Sequence, residues 1–325
     1  MIKSFFDGNV HPAWYIPLSR GIVRVAGRDR LAFLHGQLSN DVLSLQPGEG
    51  IRACLLNNTG HLLADIIVHA FDGHVFLETD PSQAPILLRA LDRFIIREKV
   101  LLEDVSASWQ IVTLQGPGAR DAWERLDSTP LTVADGPLYA HAPLPFTAAD
   151  GSAHGEIARR PRIGAPDGYD LWLPVSIAAE IIAALSANPG VAELDDSTYE
   201  TLRIESAEPA WGAELTEAVI PLEAGLLDAI SFTKGCYMGQ EIIARIHSRG
   251  HTNRTLRRLT LAAPANPADK IVAVGGPKNG EEVGWLTSTA TSPRLGPIAL
   301  AYIRNEYAAA GSTVKVNEAG ATVDG

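Results

Sequence analysis

The feature that most constrains the fold is a pattern that occurs twice. The apolar run Ile22-Val23-Arg24-Val25 is followed by Gly27 and then by a segment from about Asp29 to Leu38 with helical spacing. The same order returns in Gln110-Ile111-Val112-Thr113-Leu114, Gly116 and the segment from about Gly118 to Leu126. Each reads strand, glycine, helix: a short β-branched run marks the strand, and glycine permits the turn that follows it. The likeness continues downstream. Val75-Phe76-Leu77-Glu78-Thr79 reads as a strand, with Asp80 and Pro81 opening a helix that carries Leu87, Leu88, Leu91, Phe94 and Ile95. Tyr169-Asp170-Leu171-Trp172-Leu173 reads the same way, followed by Pro174 and a helix carrying Ile177, Ile181, Ile182 and Leu185 that stops at Asn188-Pro189-Gly190. Two similar α+β units are expected, at about 20–105 and 108–192.

A connecting segment, 193–250, follows. Asp196 and Ser197 can cap a helix containing Leu202 and Ile204. Gly239 to Arg249 reads as another helix that ends near Gly250. Beyond Gly250 the pattern changes to short strands, Leu256–Leu261, Glu282–Thr289, Ile298–Ile303 and Thr313–Val316, with Asn279-Gly280 as a turn. The expected division is 1–250 and a small β-barrel-like domain over 251–325.

Composition narrows the function classes. A net charge of −11 over 325 residues argues against general nucleic-acid binding, which needs a basic face. Cys54 and Cys236 are the only two cysteines and form no Cys-x-x-Cys pair, which suits a reducing compartment. No basic stretch leads into an apolar run near Met1, and no run reaches the roughly 20 apolar residues that span a bilayer. A soluble, cytoplasmic protein that binds no membrane is expected. His247 and His251 lack a third ligand, so no metal site is expected. Gly116-Pro117-Gly118 lacks the Lys-Ser/Thr of a phosphate loop.

The segment with most chemistry is Lys234-Gly235-Cys236-Tyr237-Met238-Gly239-Gln240-Glu241. Cys236 precedes a predicted helix start, where free N–H groups favour negative charge, and Lys234 adds positive potential. Both favour a reactive thiolate; a buried, inert cysteine is the alternative. Gly235 and Gly239 allow a tight loop, and Tyr237 offers a ring face and a hydroxyl.

This octet resembles the signature of the YgfZ family of folate-binding proteins, whose members support iron–sulfur enzymes. That family is similar in fold to the T-protein of the glycine cleavage system, a tetrahydrofolate-dependent aminomethyltransferase. The resemblance extends through Ser19-Arg20-Gly21, Phe33-Leu34-His35-Gly36-Gln37-Leu38-Ser39-Asn40-Asp41, Gly60-His61-Leu62-Leu63-Ala64-Asp65, Gly168-Tyr169-Asp170, Arg203-Ile204-Glu205 and Pro221-Leu222-Glu223-Ala224-Gly225-Leu226. It implies a T-protein-like α+β fold around a central folate-binding channel. It also implies tetrahydrofolate or a derivative as cofactor, and iron–sulfur enzymes or their assembly factors as partners.

The resemblance also implies roles. Asp170 matches the carboxylate that meets the pterin N–H edge, which a carboxylate can accept in paired fashion. Arg203 matches a folate-contacting arginine, and a guanidinium suits the glutamyl carboxylates; an ion pair with Asp196, Glu200 or Glu205 is the alternative. Asp65 matches the aspartate near the reacting nitrogen of folate. It lies in the apolar run Leu62–Val68, where burial would raise its pKa and suit it to proton transfer. Trp211 lies in a stretch that approaches folate. The T-proteins lack the cysteine at the matching segment. An aminomethyltransferase is therefore the second reading, and a non-catalytic folate-binding scaffold the third.

Overall fold

The computed structural model describes residues 12–126, 131–147 and 154–324. The first unit contains β2 (Gly21–Ala26), α1 (Arg30–Gln37), β3 (Gly50–Leu56), β4 (Leu62–Ala70), β5 (His74–Thr79), α2 (Ala84–Asp92) and β6 (Leu101–Asp104), and β1 (Ala13–Leu18) precedes it. The second contains β7 (Trp109–Gln115), α3 (Ala119–Leu126), β8 (His141–Thr147), β9 (His154–Arg159), β10 (Gly168–Pro174), α4 (Val175–Ser186) and β11 (Val191–Glu193). The sheet orders are β3-β4-β5-β2-β6 and β8-β9-β10-β7-β1-β11. The two α+β units are thus the same arrangement twice, with β1 in the second sheet standing where β6 stands in the first. β1 runs antiparallel to β7 and parallel to β11.

The strand-to-helix turns explain the repeated glycine. Gly27 has φ +103° and Gly116 φ +109°. A Cβ at Gly27 would lie 2.0 Å from the Lys99 carbonyl oxygen, and one at Gly116 2.6 Å from that of Pro12. Both the left-handed backbone and the close approach require the missing side chain.

Strand alternation divides each sheet into two faces. In β5, Val75 and Leu77 pack with Leu34, Leu87 and Leu91 of the helices, leaving Phe76 and Glu78 on the other face. In β10, Tyr169, Leu171 and Leu173 pack with Trp123, Ile177 and Ile181, leaving Asp170 and Trp172 opposite. These second faces meet. The Phe76 and Trp172 rings stack with centroids 5.8 Å apart and planes 2° apart, and Ile22 and Ile111 join them. The gap between the sheets is therefore aromatic at one end. At the other it presents Glu78 and Asp170, both fully buried.

The connecting segment carries α5 (Asp196–Glu205) and α6 (Gln240–Arg249). The cap of α5 is Asp195, not Asp196 or Ser197: its Oδ1 accepts from the Thr198 N–H at 2.7 Å. The C-terminal strands β12 (Arg254–Leu261), β13 (Lys270–Ala273), β14 (Glu282–Ser292), β15 (Gly296–Arg304), β16 (Thr313–Val316) and β17 (Ala319–Val323) close a barrel in the order β12-β15-β14-β13-β16-β17. β13 and the glycine-containing β17 are strands that the sequence reading does not mark. On β15, Ala299, Ala301 and Ile303 fill the barrel, while Ile298, Leu300 and Tyr302 pack on Leu215, Val219 and Leu226 of the connecting segment. No helix among the described residues is long and apolar enough to cross a membrane.

Candidate functional site

The charged end of the inter-sheet gap opens into a cavity of about 290 Å³, near the lower bound for small-molecule sites. Arg20, Arg52, Asp65, Tyr139, Arg160, Arg162, Tyr199, Arg203, Glu208 and Trp211 are among its lining residues. The strands fix the lower wall. Arg52 and Asp65 stand on the same face of the β3–β4 hairpin, and the Arg160-Pro161-Arg162 stretch follows β9.

The walls are a lattice of ion pairs. Arg52 donates Nε to Asp65 Oδ1 and Nη2 to Oδ2, each at 2.8 Å. Burial opposes ionisation of Asp65, but Arg52, with Arg20 and Arg160 beyond it, outweighs that cost and holds the carboxyl below its ordinary value. The expected upward shift of Asp65 is therefore reversed. The residue is an ionised acceptor: the local sequence run does not reveal Arg52, which reaches it diagonally across the hairpin.

Glu78 is the centre of a second knot. Arg160 Nη1 donates to both of its carboxylate oxygens at 2.7 Å, and Arg20 Nε to Oε1 at 2.7 Å. Burial resists its charge, yet Arg160, Arg20, His69 and Arg162 hold it well below the usual range. Asp170 lies beside it. Arg162 reaches Asp170 with Nε at 3.0 Å and Nη2 at 2.7 Å, and Arg160 Nη1 adds a contact at 3.3 Å. Asp170 is thus behind the wall rather than on it, and Arg162 and Arg160 already occupy both its oxygens.

Arg203 does line the cavity but is spent on protein partners. It donates to Glu200 at 2.8 and 2.6 Å, to Glu214 at 2.8 Å, to the Glu208 carbonyl at 2.6 Å and to Ser288 at 2.7 Å. Glu200 is a partner named from the sequence; Glu214 and Ser288 tie the helix to the barrel. Trp211 lines the same cavity.

The Lys234–Glu241 loop forms a separate locus, and none of it lines this cavity. Lys234 Nζ donates to the carbonyls of Leu38 at 2.6 Å, Asn40 at 3.3 Å and His35. It thereby complements the C-terminal end of α1 and lies 5.0 Å from the centre of the Tyr237 ring. Burial pulls its ammonium down to about 8. The loop is pinned at its other end by Gly239, whose φ is +79° and whose Cβ would lie 2.4 Å from the Asn57 carbonyl oxygen. Tyr237 N–H donates to Gln240 Oε1 at 3.0 Å, and the Tyr237 ring packs in the cluster containing Cys54, Leu56 and Ile243. Between these anchors Cys236 is exposed and free, while Cys54 is buried. Cys236 lies three positions before Gly239, the residue that caps α6.

Strand β3 connects the two loci. Arg52 faces the cavity, and Cys54, two residues on along the same face, packs with Tyr237. The Asn40 amide donates to the carbonyls of both Arg52 and Asp228, and Ser39 Oγ accepts from Cys54 N–H while donating to the Ala229 carbonyl. The open edge of the first sheet is covered in this way.

Sequence reasoning passed over Glu78, Arg52, Arg160 and Arg162. The basic run Arg159-Arg160-Pro161-Arg162 just before Gly168-Tyr169-Asp170 was the available signal. Among the described residues no group of three or more His, Cys, Asp or Glu side chains could hold a metal ion.

Comparison with known proteins agrees with this architecture. The family described as the GCVT N-terminal domain matches residues 19–234, and the glycine cleavage T-protein C-terminal barrel domain matches 254–325. The aminomethyltransferase of Geobacillus kaustophilus is 29% identical over 305 residues, 91% of this chain and 80% of that protein. A chloroplastic protein of Arabidopsis thaliana with a provisional transferase name is 29% identical over 92% of this chain, which spans 66% of the plant protein. A mitochondrial iron–sulfur cluster assembly factor homolog of Mycosarcoma maydis is 29% identical over 264 residues, 76% of this chain and 57% of that protein. The crystal structure of the glycine cleavage aminomethyltransferase T of Bartonella henselae superposes with a TM-score of 0.85 at 19% identity, covering 100% of this chain and 88% of that one. The chain belongs to the glycine cleavage T-protein family.

Proposed function

We propose that this member of the T-protein family is of the YgfZ type: it binds a reduced folate in the inter-sheet cavity and supports the assembly or repair of iron–sulfur enzymes through Cys236. The observation that carries the reading is the pairing of a polar, aromatic-walled cavity with a thiol held out on an anchored loop. The chemistry of the walls fits such a ligand. Tyr139, Tyr199 and Trp211 supply ring faces, guanidiniums supply donors for carboxylates, and Asp65 and Glu208 supply acceptors for ring N–H groups.

Bound there, a reduced folate would supply one-carbon or redox chemistry. The chain's own contributions follow from the geometry. Asp65, kept ionised by Arg52, accepts a hydrogen bond and stabilises positive charge near it. Glu208 has one oxygen on the Ile163 N–H at 2.9 Å and presents the other toward the cavity and Arg162. Asp170 acts through Arg162, which it orients, and Arg203 fixes the wall. Lys234 and Tyr237 set the position of the Cys236 loop.

The aminomethyltransferase relatives support a second reading, in which the same cavity serves methylene transfer and the thiol is incidental. Thermal-shift and binding titrations with tetrahydrofolate, 5-formyl and 5-methyl forms test the cavity, because a ligand that binds only the folded state raises its stability. Cys236→Ala in cells separates the readings. Loss of iron–sulfur enzyme activity with folate binding intact supports the first. Retained activity, together with turnover of a lipoylated carrier protein, supports the second.

A further inference from the structure

Three of the cations around the cavity each have at least one carboxylate in bonded contact. Arg52 has Asp65, Arg162 has Asp170 with Glu208 at 4.0 Å, and Arg203 has Glu200 and Glu214. Arg20 and Arg160 differ. They converge on the single buried carboxylate of Glu78, and Arg160 meets Asp170, already taken by Arg162, at 3.3 Å. Among the described residues, Arg20 Nη1 and Nη2 and Arg160 Nε and Nη2 have no hydrogen-bond partner. Both side chains line the cavity. Glu78 fixes their planes from behind, so their free N–H groups are held in place before any ligand arrives. Asp80, another carboxylate on this side, turns Oδ1 to the Ser82 N–H and hydroxyl at 2.9 and 2.6 Å, and among the described residues it forms no ion pair with Arg20 or Arg160.

We propose that Arg20 and Arg160 form an anion subsite that takes a carboxylate of the cavity's ligand. Two guanidiniums anchored on one carboxylate keep N–H groups free toward the cavity, and fork-shaped donors match a carboxylate in geometry as well as charge. Arg20 and Arg160 also help Arg52 to keep Asp65 ionised. The identity of the ligand rests on the folate reading: in a reduced folate the group is a glutamyl carboxylate, here met by Arg20 and Arg160 and not by Arg203, whose donors are taken.

The test compares tetrahydrofolate with tetrahydropteroate, which lacks the glutamate, in calorimetric titrations of the wild type, Arg20→Gln and Arg20→Lys. Arg160 and Arg162 still hold Glu78 in both variants, and thermal melts check that each is folded. The expected result is that Arg20→Gln weakens tetrahydrofolate at least tenfold, leaves tetrahydropteroate unchanged, and is partly rescued by Arg20→Lys. Equal weakening of both ligands, or of neither, overturns the subsite while leaving folate binding standing. If the wild type binds neither pteridine, the folate reading fails and glutarate becomes the probe. Stabilisation of the wild type by glutarate that disappears in Arg20→Gln upholds the subsite; identical shifts in both proteins overturn it.

Discussion

Arg52 and Asp65 sit diagonally on one face of the β3–β4 hairpin and share two parallel hydrogen bonds, both 2.8 Å long. Because Asp65 is held below its ordinary value, the pair contributes stability above about pH 4, the unfolded carboxyl value. That contribution is lost as pH falls through the folded value. Asp65→Asn should cost about 1.5–3 kcal/mol at neutral pH, read from urea unfolding. The deficit should shrink in acid, where the wild-type carboxyl protonates too. A deficit that stays constant into strong acid would contradict the assigned pair.

Lys234 gives a pH dependence of the same sign in a more alkaline window. Burial lowers its ammonium to about 8, so between about pH 8 and pH 10.4 the unfolded chain binds the proton that the folded chain has released. Stability relative to Lys234→Met should therefore rise with pH through that window. Lys234→Met should also loosen the loop and change the alkylation rate of Cys236. A flat stability difference with an unaltered alkylation rate would remove Lys234 as the anchor.

The two thiols should behave differently. Cys236 is exposed and should label in the native protein, whereas Cys54 should label only after unfolding. Cys236→Ala should change stability by no more than about 0.5 kcal/mol. Cys54→Ala should cost about 1 kcal/mol or more, since it opens space in a packed cluster. Mass spectrometry of the labelled protein, with denaturant melts of both variants, decides this.

Glu78 braces three arginines from a site without solvent contact. Glu78→Gln should cost about 3–5 kcal/mol, because removing one partner leaves buried charge uncompensated. Adding Arg20→Gln should cost less than the sum of the two single changes. Strict additivity in a double-mutant cycle would mean that Arg20 and Glu78 are not coupled.

The fold was legible where neighbours in sequence are neighbours in space. Alternation at Val75–Thr79 and Tyr169–Leu173 marked the strands, and Gly27 and Gly116 marked the turns. What escaped was pairing at a distance. Nothing local to Ala13–Leu18 says that it belongs to the second sheet. Nothing around Asp65 reveals Arg52, and nothing in Gly168-Tyr169-Asp170 says that Arg162 lies across the carboxylate. Arg203 reads as a folate-contacting arginine or as a helix cation paired with Asp196, Glu200 or Glu205; Glu214 and Ser288, which complete its shell beside Glu200, come from a loop and the barrel. Charge lattices are assembled from several strands, so each member looks ordinary alone.

The placement of β1 bears on how the chain is made. A ribosome delivers Ala13–Leu18 before the first unit, but the partners of this strand, β7 and the parallel Val191–Glu193, emerge only after the whole first unit has left the tunnel. The first unit can close its own five-stranded sheet in that interval, while the leading strand waits with its hydrogen-bonding edges open. Long-range parallel pairing is slow to form, and a waiting edge is a place where chains can pair wrongly. The strand also makes the second unit dependent on residues synthesised before the first, so the second unit cannot be transplanted by a cut at their apparent boundary.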